Sequence, residues 1–151
     1  MTKPDAFEAA LAALNRKERT ADELALWLKR RDFSLEEIES AQRRLFEVGA
    51  LDDERFARLF AEDKRELSGW GAERIREALL ARGVDGATVE TVLAADSFGD
   101  QLERARDILI RRGRPLSGNA DRQRALDYLT RRGYEYELAY EAVRSLSAWA
   151  A

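Results

Sequence analysis

Three short stretches, LKRRDF (28–33), LLARGV (79–84) and LTRRGY (129–134), recur at intervals of 51 and 50 residues. A period of that size marks a supersecondary unit used several times. Moving TADELALWLKRRDFSLEEI (20–38) by 51 residues places it on GAERIREALLARGVDGATV (71–89), and a further 50 reaches DRQRALDYLTRRGYEYELA (121–139). In that frame Leu28, Leu79 and Leu129 share one position. So do Arg31, Arg82 and Arg132, and so do Phe33, Val84 and Tyr134.

The phrase encodes helix, tight turn, helix. Leu24, Trp27 and Leu28 are spaced for one helix face, which places Trp27 in the core. The arginines before the turn complement the negative end of the helix dipole. Gly83 and Gly133 stand where a left-handed residue ends a helix; Asp32 holds that place in the first unit, a tolerated substitute. The apolar residue that follows lies five residues before Ile38, Val89 or Ala139, the spacing of a hydrophobic staple. Thr20 with Glu23 and Ser34 with Glu37 make capping boxes, Asp85 caps in the second unit, and Glu135 is a poorer cap in the third.

A further helix precedes each pair, at 6–16, 49–67 and 99–112. In the second, Asp52 caps, Leu51 staples onto Phe56, and Phe56, Leu59, Phe60 and Leu67 make the apolar face. Connectors fall at 15–19, 67–71 and 112–119. The expected fold is all-α: three tandem three-helix, helix-turn-helix-like repeats at 1–52, 53–98 and 99–151, stacked as an elongated curved array.

Composition agrees and narrows the chemistry. Hydrophobic residues are 45% and charged residues 36%, and Pro4 and Pro115 are the two prolines, so little interrupts a helical reading. The chain has no cysteine and no histidine, which removes thiol chemistry, Cys-ligated zinc and the commonest general base. No apolar run is long enough to span a membrane, and MTKPDAFEAA lacks the apolar stretch of a signal peptide, so a cytoplasmic protein is expected. GRPLSGN lacks the Lys-Ser/Thr ending of a P-loop, no GxGxxG follows a strand, and no pair of carboxylates stands out as an acid and base. Asp52-Asp53 reads as a helix cap rather than a metal site. The expectation is a protein that is not an enzyme and holds no metal or cofactor.

RKERTADELALWLKRRDF (16–33), GALDDERFARLFAED (49–63), SGWGAERIREALLARGV (68–84) and RQRALDYLTRRGYEYELAYEAV (122–143) occur in the order and spacing of a known family. The chain resembles the RecX family of bacterial recombinase regulators over roughly residues 9–149. Ala78-Leu79 replaces a common Glu-Leu, and Asp32 a usual glycine. The resemblance implies a protein that binds the RecA filament on DNA, lies along its groove and dampens ATP hydrolysis, extension, strand exchange and co-cleavage of LexA-type repressors. It implies no chemistry of the regulator's own.

Charge is uneven along the chain, whose net charge is −3. Residues 1–52 carry 9 basic and 11 acidic side chains, residues 53–100 carry 7 and 11, and residues 101–151 carry 10 and 7. Arginine dominates the basic end and suits bidentate contacts to phosphate or carboxylate. The candidate partner or nucleic-acid contacts are Arg111, Arg112 and Arg114 flanking a loop, then Arg131, Arg132, Arg30 and Arg31, and Trp70 in its glycine-bounded connector. The arginine pairs also read as solvated dipole partners at helix ends, and Trp70 equally as an anchor for its loop. Of Tyr134, Tyr136 and Tyr140, at most one is expected to be a contact.

Two readings stand beside the filament regulator. A direct nucleic-acid binder would use the basic third repeat for a weak DNA contact, against the overall acidity. A helical-repeat scaffold would serve an unrelated protein. A monomer is expected, since no self-complementary seam stands out.

Overall fold

The computed structural model describes residues 4–147, which form nine helices and no strand. In chain order they are α1 (Ala6–Arg16), α2 (Ala21–Lys29), α3 (Leu35–Glu47), α4 (Asp53–Ser68), α5 (Ala72–Ala81), α6 (Gly86–Ala94), α7 (Phe98–Arg112), α8 (Asn119–Arg131) and α9 (Tyr136–Leu146). Most starts are encoded locally. Asp5 accepts from the Glu8 N–H, Thr20 and Ser34 form capping boxes with Glu23 and Glu37, Asp52 accepts from the Arg55 N–H, and Ser97 from the Asp100 N–H. Each bond satisfies a donor the helix itself cannot, and each is worth about 1 kcal/mol. Gly118 and Glu135 begin α8 and α9 without a side-chain cap bond. Asp32, Gly83 and Gly133 all take the left-handed conformation, at φ 67°, 86° and 99°.

The chain divides into two compact units, Met1–Leu59 with Leu79–Val89, and Phe60–Ala78 with Glu90–Ala151. In the first, α1, α2 and α3 bury Leu24, Leu28 and Leu45 completely, and Ala10 and Ala13 let α1 come close. In the second, Leu109 of α7, Leu129 of α8 and Leu138 and Val143 of α9 share a core with Ala105, Ala139 and Ala142. Each leucine so buried contributes about 1.5–3 kcal/mol.

Several side chains depart from the sequence expectation. On α4 the buried residues include Phe56, Ala57 and Ala61, while Leu59 is 42% and Leu67 82% exposed. Helical spacing puts Leu67 near the side of Phe56, but spacing alone does not say that anything covers the last turn. Trp27 is half-buried at the edge of its core rather than inside it. On α9, Leu138, Ala139, Ala142 and Val143 face inward. Tyr136 and Tyr140 therefore lie outward at i, i+4 spacing, stacked with centroids 6.3 Å apart, while Tyr134, the staple residue, is buried.

The recurrent turn does more than end a helix. In the first unit, the turn after α5 meets the start of α2. The Thr20 hydroxyl donates to the Arg82 carbonyl (2.7 Å), and the Arg82 guanidinium binds both oxygens of Glu23 (3.0 and 2.9 Å) while lying 4.5 Å over the Phe56 ring. Burial pushes the Glu23 carboxyl up, but Arg82 and the Thr20 N–H more than offset it and hold it below its ordinary value. The Ala21 N–H finds Asp53, 32 residues away, at 2.9 Å.

In the second unit, the turn after α8 meets the start of α5 in the same way. The Gly71 N–H donates to the Arg132 carbonyl (2.8 Å) and the Glu73 N–H to the Gly133 carbonyl (2.9 Å). Orphan donors of one helix start thereby satisfy carbonyls at another helix end.

Thr20 is fully buried, and its hydroxyl both accepts from the Glu23 N–H and donates to the Arg82 carbonyl. Thr20→Ala is expected to lower the unfolding free energy by about 2 kcal/mol, with Thr20→Ser recovering most of it, as read from urea denaturation.

Candidate partner-facing surface

Helix α7 ends with Arg111 and Arg112 in its last turn and with Gly113 left-handed at φ 67°. The connector then runs to Gly118, which opens α8 without a side-chain cap bond. Arg112 and Arg114, with Pro115, Asp121 and Arg124, line a small concavity of about 120 Å³ beside that helix start. Arg111 and Arg114 are exposed; Arg112 is half-buried, with its guanidinium 4.8 Å from the Tyr128 ring centre. Asp121 is the acid in this group. A hydrogen bond from Ser117 above all, with help from Arg124 at 3.1 Å, holds its carboxyl below the ordinary value. Asp121 thus keeps its negative charge and engages Arg124, while Arg111 and Arg114 pair with no carboxylate among the described residues.

Arg131 is exposed, with its Nε donating to the Asp127 carbonyl at 3.2 Å. Arg132 is built into the structure. It donates to the Ser68 carbonyl (3.0 Å) and the Tyr128 hydroxyl (2.8 Å) and lies 4.8 Å over the Tyr128 ring. The structure thus brings Arg112 and Arg132 to one ring and Arg112 and Arg114 to one concavity.

Trp70 is half-buried and packed by neighbouring side chains. Phe60 meets it edge-on at 6.2 Å, and Arg74 and Lys64 lie 4.2 and 4.7 Å from its ring centre. Arg30 and Arg31 belong to the first unit and are both exposed; Arg31 stacks 3.6 Å over Trp27. The repeat frame aligns Arg31 with Arg82 and Arg132 but does not show that the latter two are engaged. The signal for that was the residue beside each: glycine follows Arg82 and Arg132, whereas aspartate follows Arg31.

Among the described residues no cluster of three or more acidic side chains could hold a metal, and no helix is long and apolar enough to cross a membrane. What this surface offers is arginine donors for planar anionic groups, beside an uncapped helix start.

The chain is similar to known proteins over most of its length. Residues 52–93 match the model of the second three-helix domain of RecX, and residues 99–143 that of the third. The regulatory protein RecX of Trichlorobacter lovleyi is 32% identical over 139 residues, covering 89% of this chain and 90% of that protein. That of Halalkalibacterium halodurans is 31% identical over 139 residues, and there the alignment covers 90% of this chain but only 52% of the relative. The crystal structure of RecX from Lactobacillus salivarius superposes with a TM-score of 0.85 at 20% identity, covering 93% of this chain and 94% of that one, a likeness of fold.

Proposed function

This chain belongs to the RecX family of regulatory proteins, and from that premise we propose that it binds the RecA recombinase filament on DNA and restrains it. In this reading it limits filament extension, ATP hydrolysis and strand exchange as a cytoplasmic monomer with no reaction of its own. Three-helix repeats at 1–52, 53–98 and 99–151 are its working parts, and several modest contacts act together through effective concentration. Family membership carries the proposal. The exposed Arg111 and Arg114, which pair with no carboxylate among the described residues, support a contact through the third repeat, with Arg112 beside Arg114.

One observation favours a second reading, direct contact with DNA. The start of α8 has no side-chain cap, and Arg112 and Arg114 lie beside it, a combination suited to a phosphate. The two readings separate in a DNA-dependent ATPase assay of RecA with this protein titrated in, alongside bare-DNA binding at the same salt. Inhibition well below one protein per recombinase, with weak bare-DNA binding, supports filament regulation. Inhibition only once the protein saturates the DNA supports competition for phosphates, with a steep salt slope.

The triple substitution Arg111→Glu, Arg112→Glu, Arg114→Glu is expected to weaken filament inhibition by at least about tenfold, because reversing a charge replaces attraction by repulsion. Its helical circular dichroism should stay unchanged, since two of the three side chains are exposed. Full inhibition by the folded variant would move the contact elsewhere.

A further inference from the structure

The first unit carries an open groove of about 520 Å³ between α1, the end of α2 and the turn that follows. Ala9 and Ala12, on one side of α1, give it a floor of small side chains. Trp27 and Phe33, both half-buried, give it an aromatic wall. Arg16 and Arg31 stand on its rim, and Arg19 reaches the same tryptophan, 5.5 Å from the ring centre.

None of these three arginines pairs with a carboxylate among the described residues. Arg19 donates instead to the Ala13 carbonyl at 2.7 Å, and among the described residues Asp32 is the one acid lining the groove. This is a local excess of positive charge in a stretch, 1–52, where acidic side chains outnumber basic ones. Arg31 is moreover held in place: stacking 3.6 Å over Trp27 fixes its plane and leaves its edge donors free. At the matching repeat position Arg82 already spends those donors on Glu23. Arg82 therefore shows within this chain what an arginine of this position does with a carboxylate.

We propose that this groove docks an acidic segment of a protein partner, one bulky apolar side chain lodging against Trp27 and Phe33 while flanking carboxylates pair with Arg16 and Arg31. An apolar anchor in a pocket with charged pairs at its rim is the usual arrangement of a small peptide site. The proposal does not depend on how the third-repeat arginines are used.

The test uses the full chain and a fluorescein-labelled synthetic peptide of glutamates flanking one phenylalanine, followed by fluorescence anisotropy. Saturable binding is expected, weakened at least about tenfold by Arg16→Glu with Arg31→Glu and by replacing the peptide's phenylalanine with serine. Arg111→Glu with Arg114→Glu should leave it unchanged. Both substituted positions in the first unit are exposed, so the variant should melt as the parent does. Four results would each overturn the proposal: no saturable binding, equal binding by the folded Arg16/Arg31 variant, equal binding of a lysine version of the peptide, or full displacement by oligothymidylate with the first-unit arginines required. The last would make the groove a single-strand nucleic-acid site.

Discussion

Gly133→Ala is expected to lower the unfolding free energy by about 3 kcal/mol or more, the sum of a left-handed backbone penalty and an overpacked contact. Gly133 sits at φ 99°, and a methyl group there would meet the Cβ of Arg74 and stand 2.6 Å from its backbone nitrogen. Neither of those atoms can swing aside, because both belong to the first turn of α5. Gly71→Ala tests the same junction from the other side. Its added carbon would strike the Gly133 carbonyl carbon and the Tyr134 nitrogen and lie 2.6 Å from the Gly133 oxygen. Gly71 has no positive φ, so that loss, about 2–3 kcal/mol, is one of packing alone. Asp32→Gly is the control. Asp32 is exposed and already left-handed at φ 67°, and its change should stay within about 1 kcal/mol of the parent. Urea denaturation of the three variants decides it. Equal effects at Asp32 and Gly133 would mean that the turn acts only as a helix end.

That contrast shows what the sequence made legible. The nine helices, the two capping boxes, the Asp52 cap and the left-handed residue of each repeat all follow from local rules, because each involves residues within one or two turns of each other. Why the second and third repeats require glycine while the first accepts aspartate is not local. At Gly83 an added Cβ would lie 2.7 Å from the Cβ of Asp22, 61 residues earlier, and at Gly133 it would collide with Arg74. Asp32, by contrast, is exposed and lines an open groove. The same reasoning separates the arginines. Arg31, Arg82 and Arg132 are one letter in three repeats, yet Arg82 and Arg132 are bound into junctions and Arg31 is left to Trp27 and solvent. Helical periodicity also misjudged Leu59 and Leu67, because it assigns a side of a helix and not what packs there.

The second large effect is expected at Asp96, between α6 and α7. Its side chain is 8% exposed and receives two guanidiniums, Arg65 from α4 at 3.2 Å and Arg104 from α7. These arginines are themselves 14% and 28% exposed, and Nη2 of Arg65 and Nε of Arg104 are buried without another acceptor. The carboxylate therefore holds two cations that water reaches poorly, and its main-chain carbonyl also accepts from Gln101 at 3.0 Å. Asp96→Asn keeps the shape and removes the charge. Two neighbouring guanidiniums then repel each other with nothing between them, and removing one partner of a buried pair costs about 3–5 kcal/mol. The partial exposure of Arg104 lets water screen it, which brings the expected loss to about 2–4 kcal/mol. Adding Arg65→Met to Asp96→Asn should recover a large part of that loss, since it removes the worse-solvated cation and leaves apolar volume in its place. The double-mutant cycle in urea denaturation reads the coupling directly. If Asp96→Asn alone cost less than about 1 kcal/mol, as an exposed pair would, the two arginines would not need their carboxylate. Additive effects in the cycle would instead mean that Asp96 serves the connector through its backbone and not through its charge.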